Sequence, residues 1–484
     1  MNQKIAVGTV YVAALFMAIM DTTIVNVALP VLGRDFHTSP DAVDAVVIGF
    51  LVSTGVFLTA SGWLGDRLGG RKVLLFSLVL FTVSSALCGL ATSLGELVVF
   101  RVLQGVAGGL MTPVGMAMLF RVFPPAERVR ASSILMIPTA LAPALGPVLG
   151  GLLVTDLSWR WVFYVNVPIG VAAVIFGALF LDDHTQAHPG PFDLTGFLLA
   201  ASGLGLLMYG VSEGPLKGWA TTGVLVTIAA GVVLLLTMVF VELGKAQPLV
   251  DLRVYGDRLF RSTSVVMILG AIAFLGVLFL VALFYQDGLH LSALQSGLNT
   301  FPEALGVMIG AQIVSRRLYP VFGPRRIMAS GLGVVALSMA GMAAVGATTS
   351  LWWARLLMLT LGLGMSCVFI PAQAASFATI SPARTGRAST LFNTARQLGG
   401  AIGVALLTTV VAAVGPTRIL AGRAVANLGA YHAGFLAAAV VALLAIFAAF
   451  TVSDTDATAT MVRRGRLARH EETLDETPVA VEVA

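Results

Sequence analysis

The chain begins with a long apolar run at residues 5–30, IAVGTVYVAALFMAIMDTTIVNVALP. A bilayer crossing needs about 20 apolar residues in a helix, so this run is long enough to span a membrane. One acidic residue, Asp21, interrupts it. An ionisable group at membrane depth costs at least about 2.5 kcal/mol, and it is by default a functional group with a partner nearby. The best partner in the sequence is Arg101, which lies in the fourth apolar run.

Composition indicates that the whole chain is a polytopic membrane protein. Of its 484 residues, 57% are apolar and 11% are charged, whereas soluble domains are about 25% charged. The net charge of +5 is expected to reflect cytoplasmic loops rather than binding to nucleic acid. Apolar runs along the chain predict 14 transmembrane helices. They lie at approximately 5–30, 44–64, 73–92, 97–120, 132–155, 161–181, 194–212, 220–242, 260–286, 295–315, 327–346, 351–374, 393–414 and 430–452.

The distribution of basic residues orients these helices. With the N-terminus inside, most of the 29 Lys and Arg residues fall in segments on that same side. By the positive-inside rule both termini are then cytoplasmic, which also favours an even helix count. The segment 182–193 breaks the pattern, because it is expected inside and carries neither Lys nor Arg. We predict a multi-pass monomer in the cell (inner) membrane.

A glycine turn followed by two basic residues occurs twice, in GDRLGGRKVLL (65–75) and in LYPVFGPRRIM (318–328). The two turns are eight helices apart, which predicts two six-helix bundles with an inserted helix pair. Parallel halves of this kind recur in secondary transporters, which bind substrate near the midplane between the halves. The predicted all-α organisation is an N-terminal bundle at 1–181, the inserted pair at 182–258, a C-terminal bundle at 259–452 and a disordered cytoplasmic tail at 453–484.

Four motifs, in order and on the appropriate helices, resemble one known family. They are MDTTIVNVALP at 20–30, GWLGDRLGGRK at 62–72, LVVFRVLQG at 97–105 and APALGPVLGG at 142–151. Through them the chain resembles the fourteen-helix drug:proton antiporters of the major facilitator superfamily. The resemblance implies proton-driven export of amphipathic drugs, dyes or antibiotics. A dedicated exporter of one endogenous product, such as a secondary metabolite or siderophore, is the alternative, and a membrane sensor or scaffold is a remote one.

Proton coupling is assigned to the embedded charges. Helix one is expected to run outward and helix four inward, so Asp21 and Arg101 fall on the same side of the midplane and can pair. Proton occupancy at this site would respond to conformation or to a cationic ligand; the alternative is a static ion pair that fixes helix packing. Glu303, in the tenth helix, would carry a proton or attract a cationic substrate. If that helix starts later, Glu303 only caps it after Pro302.

The loop after the second helix is predicted to act as a gate. Glycines permit a tight turn there, and Asp66 can accept hydrogen bonds from helix-terminal amides or from arginines across the interface between halves, which would latch the cytoplasmic side. The alternative is a basic topological anchor. The predicted gate residues are Gly62, Asp66, Arg67, Gly69, Arg71 and Lys72.

The fifth helix carries small residues and a proline, namely Gly146, Pro147, Gly150 and Gly151. Small residues four apart allow close helix packing, and the proline removes one backbone hydrogen bond, which suits a helix that pivots between halves. Flexible side chains suit an adaptable substrate cavity. The predicted lining residues are Met17, Met20, Gln104, Met111 and Met136.

The sequence lacks the motifs that are typical of other functional classes. The sequence contains no G-x-x-x-x-G-K-[ST], which disfavours an ATP-driven pump. It shows no catalytic triad, metal-ligand or haem spacing, and nothing like a repeated selectivity filter. We therefore expect neither an enzyme nor a channel, and no cofactor or metal. The expected partners are an amphipathic small molecule, protons and the lipid bilayer.

Overall fold

The computed structural model describes residues 2–38, 40–182, 190–245, 247–420 and 423–461. Long helices dominate it. In chain order they are α1 (Gln3–Asp35), α2 (Ala45–Leu68), α3 (Gly70–Leu90), α4 (Leu94–Val122), α5 (Arg128–Asp156), α6 (Asn166–Phe180), α7 (Leu194–Lys217), α8 (Thr222–Gly244), α9 (Arg258–Leu283), α10 (Ala293–Ile313), α11 (Tyr319–Met342), α12 (Leu351–Ser376), α13 (Thr385–Val414) and α14 (Leu428–Phe450). A one-turn helix, Trp161–Tyr164, precedes α6.

These helices form where the sequence is apolar. Within the described residues, 12 helices are long and apolar enough to cross a membrane. The other two, α10 and α11, are of similar length but more polar, because α10 contains Asn299 and Glu303 and α11 contains Arg325 and Arg326. Each predicted span coincides with one long helix, so the predicted all-α multi-pass fold is confirmed.

The packing of the first six helices recurs in the last six. In the first bundle α1 packs on α5, α2 on α4, and α3 on α4 and α6. In the second, α9 packs on α13, α10 on α12, and α11 on α12 and α14. The inserted helices α7 and α8 pack on each other, and α7 also contacts α2 and α13. Two six-helix bundles with an inserted pair, as predicted, account for this pattern.

The repeated glycine turns have related backbone conformations. Gly69, between α2 and α3, has φ 95°, and Gly323, where the helical path of α11 breaks, has φ 73°. A side chain is strained at such angles, so glycine suits both positions. We call the end of the two bundles that carries these turns the loop end.

The two bundles contact each other along α2 and α13, along α4 and α13, and along α5 and α10. Ser61 Oγ lies 3.1 Å from Thr390 Oγ1, and Ser389 donates to the carbonyl of Pro113 at 2.8 Å. Arg128 at the start of α5 donates to the carbonyl of Phe377 just after α12. The bundles are therefore closed against each other near the loop end.

Two parts of the chain differ from the prediction. The segment between α13 and α14 contains a short antiparallel hairpin, β1 (Thr417–Leu420) and β2 (Arg423–Ala426). Residues 453–461, predicted to be disordered, instead make turns in which the buried Thr460 bonds to the hydroxyl of Tyr319 at 2.7 Å. Asp454 also accepts a hydrogen bond from the backbone N–H of Arg325 at 2.9 Å. This bond fixes the segment against the point where the helical path of α11 breaks. Residues 462–484 of the predicted tail lie outside the described residues.

Candidate functional site

Asp21 lies at the centre of a buried polar network that joins α1, α3, α4 and α6. Its carboxylate pairs with the guanidinium of Arg101, and both side chains are at most 1% exposed. Gln104 and Asn166 donate to Asp21 Oδ1 at 2.9 and 3.2 Å. The hydroxyl of Ser85 lies 3.2 Å from each of the same two amide nitrogens. The structure thus brings together the predicted pair and encloses it in hydrogen bonds.

The donors of Arg101 are used within its own bundle. Its Nε donates to the carbonyl of Val46 at 3.2 Å, and one terminal nitrogen also donates to Gln104 Oε1 at 2.8 Å. The guanidinium carbon lies 4.2 Å from the centre of the Phe50 ring, a favourable cation–π contact. Arg101 and Gln104 are three residues apart on one face of α4, so both reach Asp21. A buried charge is tolerated when it is paired and hydrogen-bonded in this way.

Three members of this network, Gln104, Ser85 and Asn166, were not predicted to bond to Asp21. Gln104, predicted to line the substrate cavity, bonds to Asp21 and Arg101 in this structure. The sequence offered one signal for Ser85 and Asn166, because each is a polar side chain in an apolar run. Polar residues in membrane-spanning runs usually pair with other polar groups, which makes each of them a candidate partner of Asp21.

Glu303 is the second embedded acid. Helix α10 begins at Ala293, behind a capping box in which Ser292 and Gln295 bond each other reciprocally. Glu303 therefore lies in the middle of α10, and the alternative that it caps the helix is wrong. Its side chain is 1% exposed, and its Oε1 accepts no hydrogen bond from the described residues. Unlike Asp21, this carboxyl group has no basic partner in the described part of the chain.

Asp66 lies in the last turn of α2, where it pairs with Arg121 of α4 at 2.6 Å. Arg121 belongs to the same bundle, so the arginine that bonds to Asp66 does not come from across the interface, although Arg387 of α13 attracts this carboxylate electrostatically. The backbone of the second bundle also packs against Asp66. An ideal Cβ built on Gly386 of α13 would lie 2.9 Å from Asp66 Oδ1, so any larger residue there would force the Asp66 side chain to shift.

The other predicted gate residues surround this pair. Gly62 and Arg67 lie in the last turns of α2 rather than in a loop, and the turn itself is Gly69. An ideal Cβ on Gly62 would lie 2.8 Å from a threonine hydroxyl of α13, so this glycine also lets the bundles meet. Arg71 donates to a carbonyl of α6 at 2.6 Å, while Arg67 and Lys72 have exposed side chains.

The glycines of α5 pack against α1 of the same bundle. An ideal Cβ on Gly146 would lie 2.1 Å from Thr23 Oγ1, and one on Gly150 would lie 3.1 Å from Ile24 Cγ1. Gly151 has nothing within 4 Å of that position. The close packing predicted for this helix therefore involves Gly146 and Gly150. The side chain of Pro147 lies outside the described residues.

The methionines predicted to line a cavity are buried in the first bundle. Met17, Met20 and Met111 have no exposed surface, and Met136 is 6% exposed. Three of the four belong to the main apolar core of the described residues.

The linkers of the inserted pair attach beside Asp66. Trp63 of α2 donates to the carbonyl of Gly190 at 3.3 Å, and its ring packs edge-on against Phe192. After α8, Asp251 pairs with Arg387 of α13 at 3.2 Å. These contacts hold the linkers on both bundles at the loop end. The sequence gives little signal for them, because they join segments more than 120 residues apart.

Comparisons with known proteins agree with this architecture. The sequence profile of the Major Facilitator Superfamily matches residues 11–404. The chain is 32% identical over 407 residues to the multidrug resistance protein B homolog of Mycobacterium tuberculosis, covering 83% of this chain and 75% of that protein. It is 33% identical over 409 residues to the tetracenomycin C resistance and export protein of Streptomyces glaucescens, covering 84% and 75%.

Solved structures show the same fold. The human organic anion transporter MFSD10 superposes with a TM-score of 0.65 at 18% identity, covering 93% of this chain and all of that one. The proton:xylose symporter XylE superposes with a TM-score of 0.63 at 15% identity, covering 95% and 98%. With its repeated six-helix packing and matched motifs, the chain belongs to the Major Facilitator Superfamily, in its drug-efflux branch, and is a multi-pass membrane transporter rather than an enzyme.

Proposed function

We propose that this transporter exports amphipathic drugs, dyes or antibiotics in exchange for protons, by alternating access. The observation that carries the proposal is the Asp21 network, a carboxylate buried at membrane depth and bonded to groups from several helices. Relatives named for multidrug resistance and for antibiotic export support the direction of transport. Both termini are proposed to be cytoplasmic, in the cell (inner) membrane, with the protein acting as a monomer.

Protonation of Asp21 is the proposed coupling step. A proton on this carboxylate would remove the charge that Arg101 pairs with, and the guanidinium would then need other acceptors. Because the network joins four helices, a change in its bonds changes how those helices pack. Asn166 Oδ1 is buried and accepts no hydrogen bond from the described residues, which leaves an acceptor beside the site. Glu303 is the proposed second proton site, or the group that attracts a cationic substrate.

The gate and the cavity complete the proposed cycle. Asp66, oriented by Arg121 and packed against Gly386 of the other bundle, would hold the loop end closed, and its movement away from Gly386 would open a path from the cytoplasm. Met17, Met20, Met111 and Met136 would line the cavity once the bundles separate. The pivoting of α5 would use the close packing of its glycines on α1.

A dedicated exporter of one endogenous product is the second candidate. It is favoured by one relative, whose name refers to resistance to and export of tetracenomycin C. A panel of structurally unrelated compounds distinguishes the two candidates. A multidrug exporter would transport several of them, and a dedicated exporter would transport one class only.

Reconstitution in liposomes tests the energy source. Purified protein is incorporated into vesicles with an imposed pH gradient, and movement of fluorescent amphipaths is followed without ATP. We expect transport that stops when a protonophore dissipates the gradient. Transport that persists without any ion gradient, or that requires ATP, would contradict the proposal.

A further inference from the structure

Arg396 is an arginine that lies deep inside the membrane-spanning part of the protein. Arg396 is in α13, 11 residues after its start at Thr385. At 1.5 Å per residue this is about 16 Å along the helix, well inside the bilayer. Its side chain is partly buried, and it makes no salt bridge with any described carboxylate. Within the described part of the chain it donates one hydrogen bond, to Asn393 Oδ1 at a long 3.4 Å.

Polar groups from both bundles surround this arginine. The ring of Tyr11, from α1, packs against Gly115 of α4, the neighbour of Met116, because a Cβ on that glycine would lie 2.2 Å from Tyr11 Cδ2. Its phenol also interacts electrostatically with Arg396. On the same interface, Met116 Sδ of α4 lies 3.3 Å from Asn393 Nδ2 and 4.0 Å from Gln373 Nε2. The cluster therefore draws on α1 and α4 of the first bundle and on α12 and α13 of the second.

Two polar atoms of this cluster have no partner. The hydroxyl of Tyr11 and Oε1 of Gln373 are buried without a hydrogen bond to any described residue. Tyr11 has no exposed surface, and Gln373 is 5% exposed. Buried polar atoms of this kind are rare, and each calls for an explanation. Here they lie in one cluster with a cation that also has no anionic partner.

Arg101 and Arg396 thus differ in which hydrogen-bonding partners they have. Arg101 donates to the carboxylate of Asp21, to the side-chain oxygen of Gln104 and to the backbone carbonyl of Val46. A charge at membrane depth costs at least about 2.5 kcal/mol, so an embedded arginine without an anion indicates a function rather than packing. The partner that would satisfy Arg396 is an anion, and it would have to enter between the bundles.

We propose that Arg396, Tyr11 and Gln373 form a subsite for the acidic group of an amphipathic substrate, a carboxylate or phenolate. This inference rests on the proposed export function. Arg396 and the Tyr11 hydroxyl donate hydrogen bonds to the anionic oxygens. Gln373 Oε1 is an acceptor, so it suits a hydroxyl next to the acid. Met116 offers an adaptable apolar contact for the substrate body.

Binding to purified full-length protein in detergent tests the subsite without a membrane or a gradient. The probes are 1-hydroxy-2-naphthoic acid and its methyl ester, which share an aromatic body and a hydroxyl but differ in charge at neutral pH. We expect the acid to bind wild type about tenfold or more tightly than the ester, because hydrogen bonds to charged groups are the stronger ones. Arg396→Gln is expected to remove that preference and leave ester binding unchanged.

Controls separate the subsite from general damage. Arg418→Gln removes one exposed arginine from β1 and should leave both affinities unchanged. Tyr11→Phe removes one donor and should weaken the acid alone, which keeps the test decisive if Arg396→Gln does not fold. Equal binding of acid and ester by wild type, or equal losses of both in the variants, would overturn the subsite.

The same measurements distinguish this inference from the export proposal. Selective acid binding by a protein that moves no compound in liposomes would count against export and in favour of the subsite. Proton-driven transport without any preference for the acid would support export and overturn the subsite.

Discussion

Phe120 and Phe377 stack on each other across the interface between the two bundles, with ring centres 4.6 Å apart and ring planes 19° apart. They occupy the same place in the two repeats. The two residues are 257 positions apart, as are Ser93 and Ser350, which cap the helices that lead to them. Both phenylalanines are nearly fully buried. The loop end is therefore closed on a contact between equivalent residues, close to the axis that relates the bundles.

This stack predicts how the closed state can be weakened. Phe120→Ala removes inter-bundle contact, and we expect separation of the loop end, measured as longer distances between spin labels at the exposed positions Arg67 and Arg384. A buried Phe→Ala change costs about 3–5 kcal/mol wherever it occurs. Phe81→Ala, at a fully buried site of α3, is the matched control and should lower stability without lengthening the distances. Equal distances in both variants would contradict a role of the stack in closure.

The Asp66–Arg121 pair predicts a transport defect without unfolding. Asp66→Asn removes a charge-assisted hydrogen bond, which contributes about 1.5–3 kcal/mol, so we expect turnover in liposomes to fall about tenfold or more. The double variant Asp66→Asn with Arg121→Gln should be no slower than the single variant, because the two residues act through one pair. Wild-type turnover in Asp66→Asn would return this segment to the role of a topological anchor.

Asp21 predicts the source of the exchanged protons. Asp21→Asn keeps the shape of the side chain but cannot titrate, so substrate-induced proton release should be lost, whereas Asp21→Glu should retain part of it. Removing one partner of a buried pair costs about 3–5 kcal/mol, so folding of each variant is checked by size-exclusion chromatography. A folded Asp21→Asn protein that releases as many protons as wild type would transfer the coupling role to Glu303.

The glycines of α5 predict a contrast within one helix. Gly146→Ala puts a methyl group against Thr23 Oγ1 of α1, and overpacking of this kind costs about 1–3 kcal/mol. Gly151→Ala adds the same methyl group where nothing lies within 4 Å, so it should be neutral. Thermal unfolding in one detergent provides the comparison. Equal unfolding midpoints for the two variants would contradict the prediction, because they would show that α1 and α5 can move apart to accommodate the methyl group at little cost.

The local features were predictable because they depend on neighbours in the chain. Apolar runs of about 20 residues can only be membrane helices, since the bilayer leaves backbone groups no other partner. The repeated turns required glycine, and Gly69 and Gly323 both have positive φ. The pairing of Asp21 with Arg101 was also predictable, because an embedded carboxylate needs a cation.

The sequence by itself therefore determined the membrane class, the helix order, the two-bundle repeat and the central ion pair. Only the tertiary structure decided that Ser85 and Asn166 complete the Asp21 network, that Arg121 rather than an arginine of the other bundle bonds to Asp66, and that Arg396 lies beside Asn393. These contacts depend on how each helix is rotated and shifted against its neighbours. Apolar periodicity is weak in helices that are apolar all round, so that rotation is set by packing between distant segments.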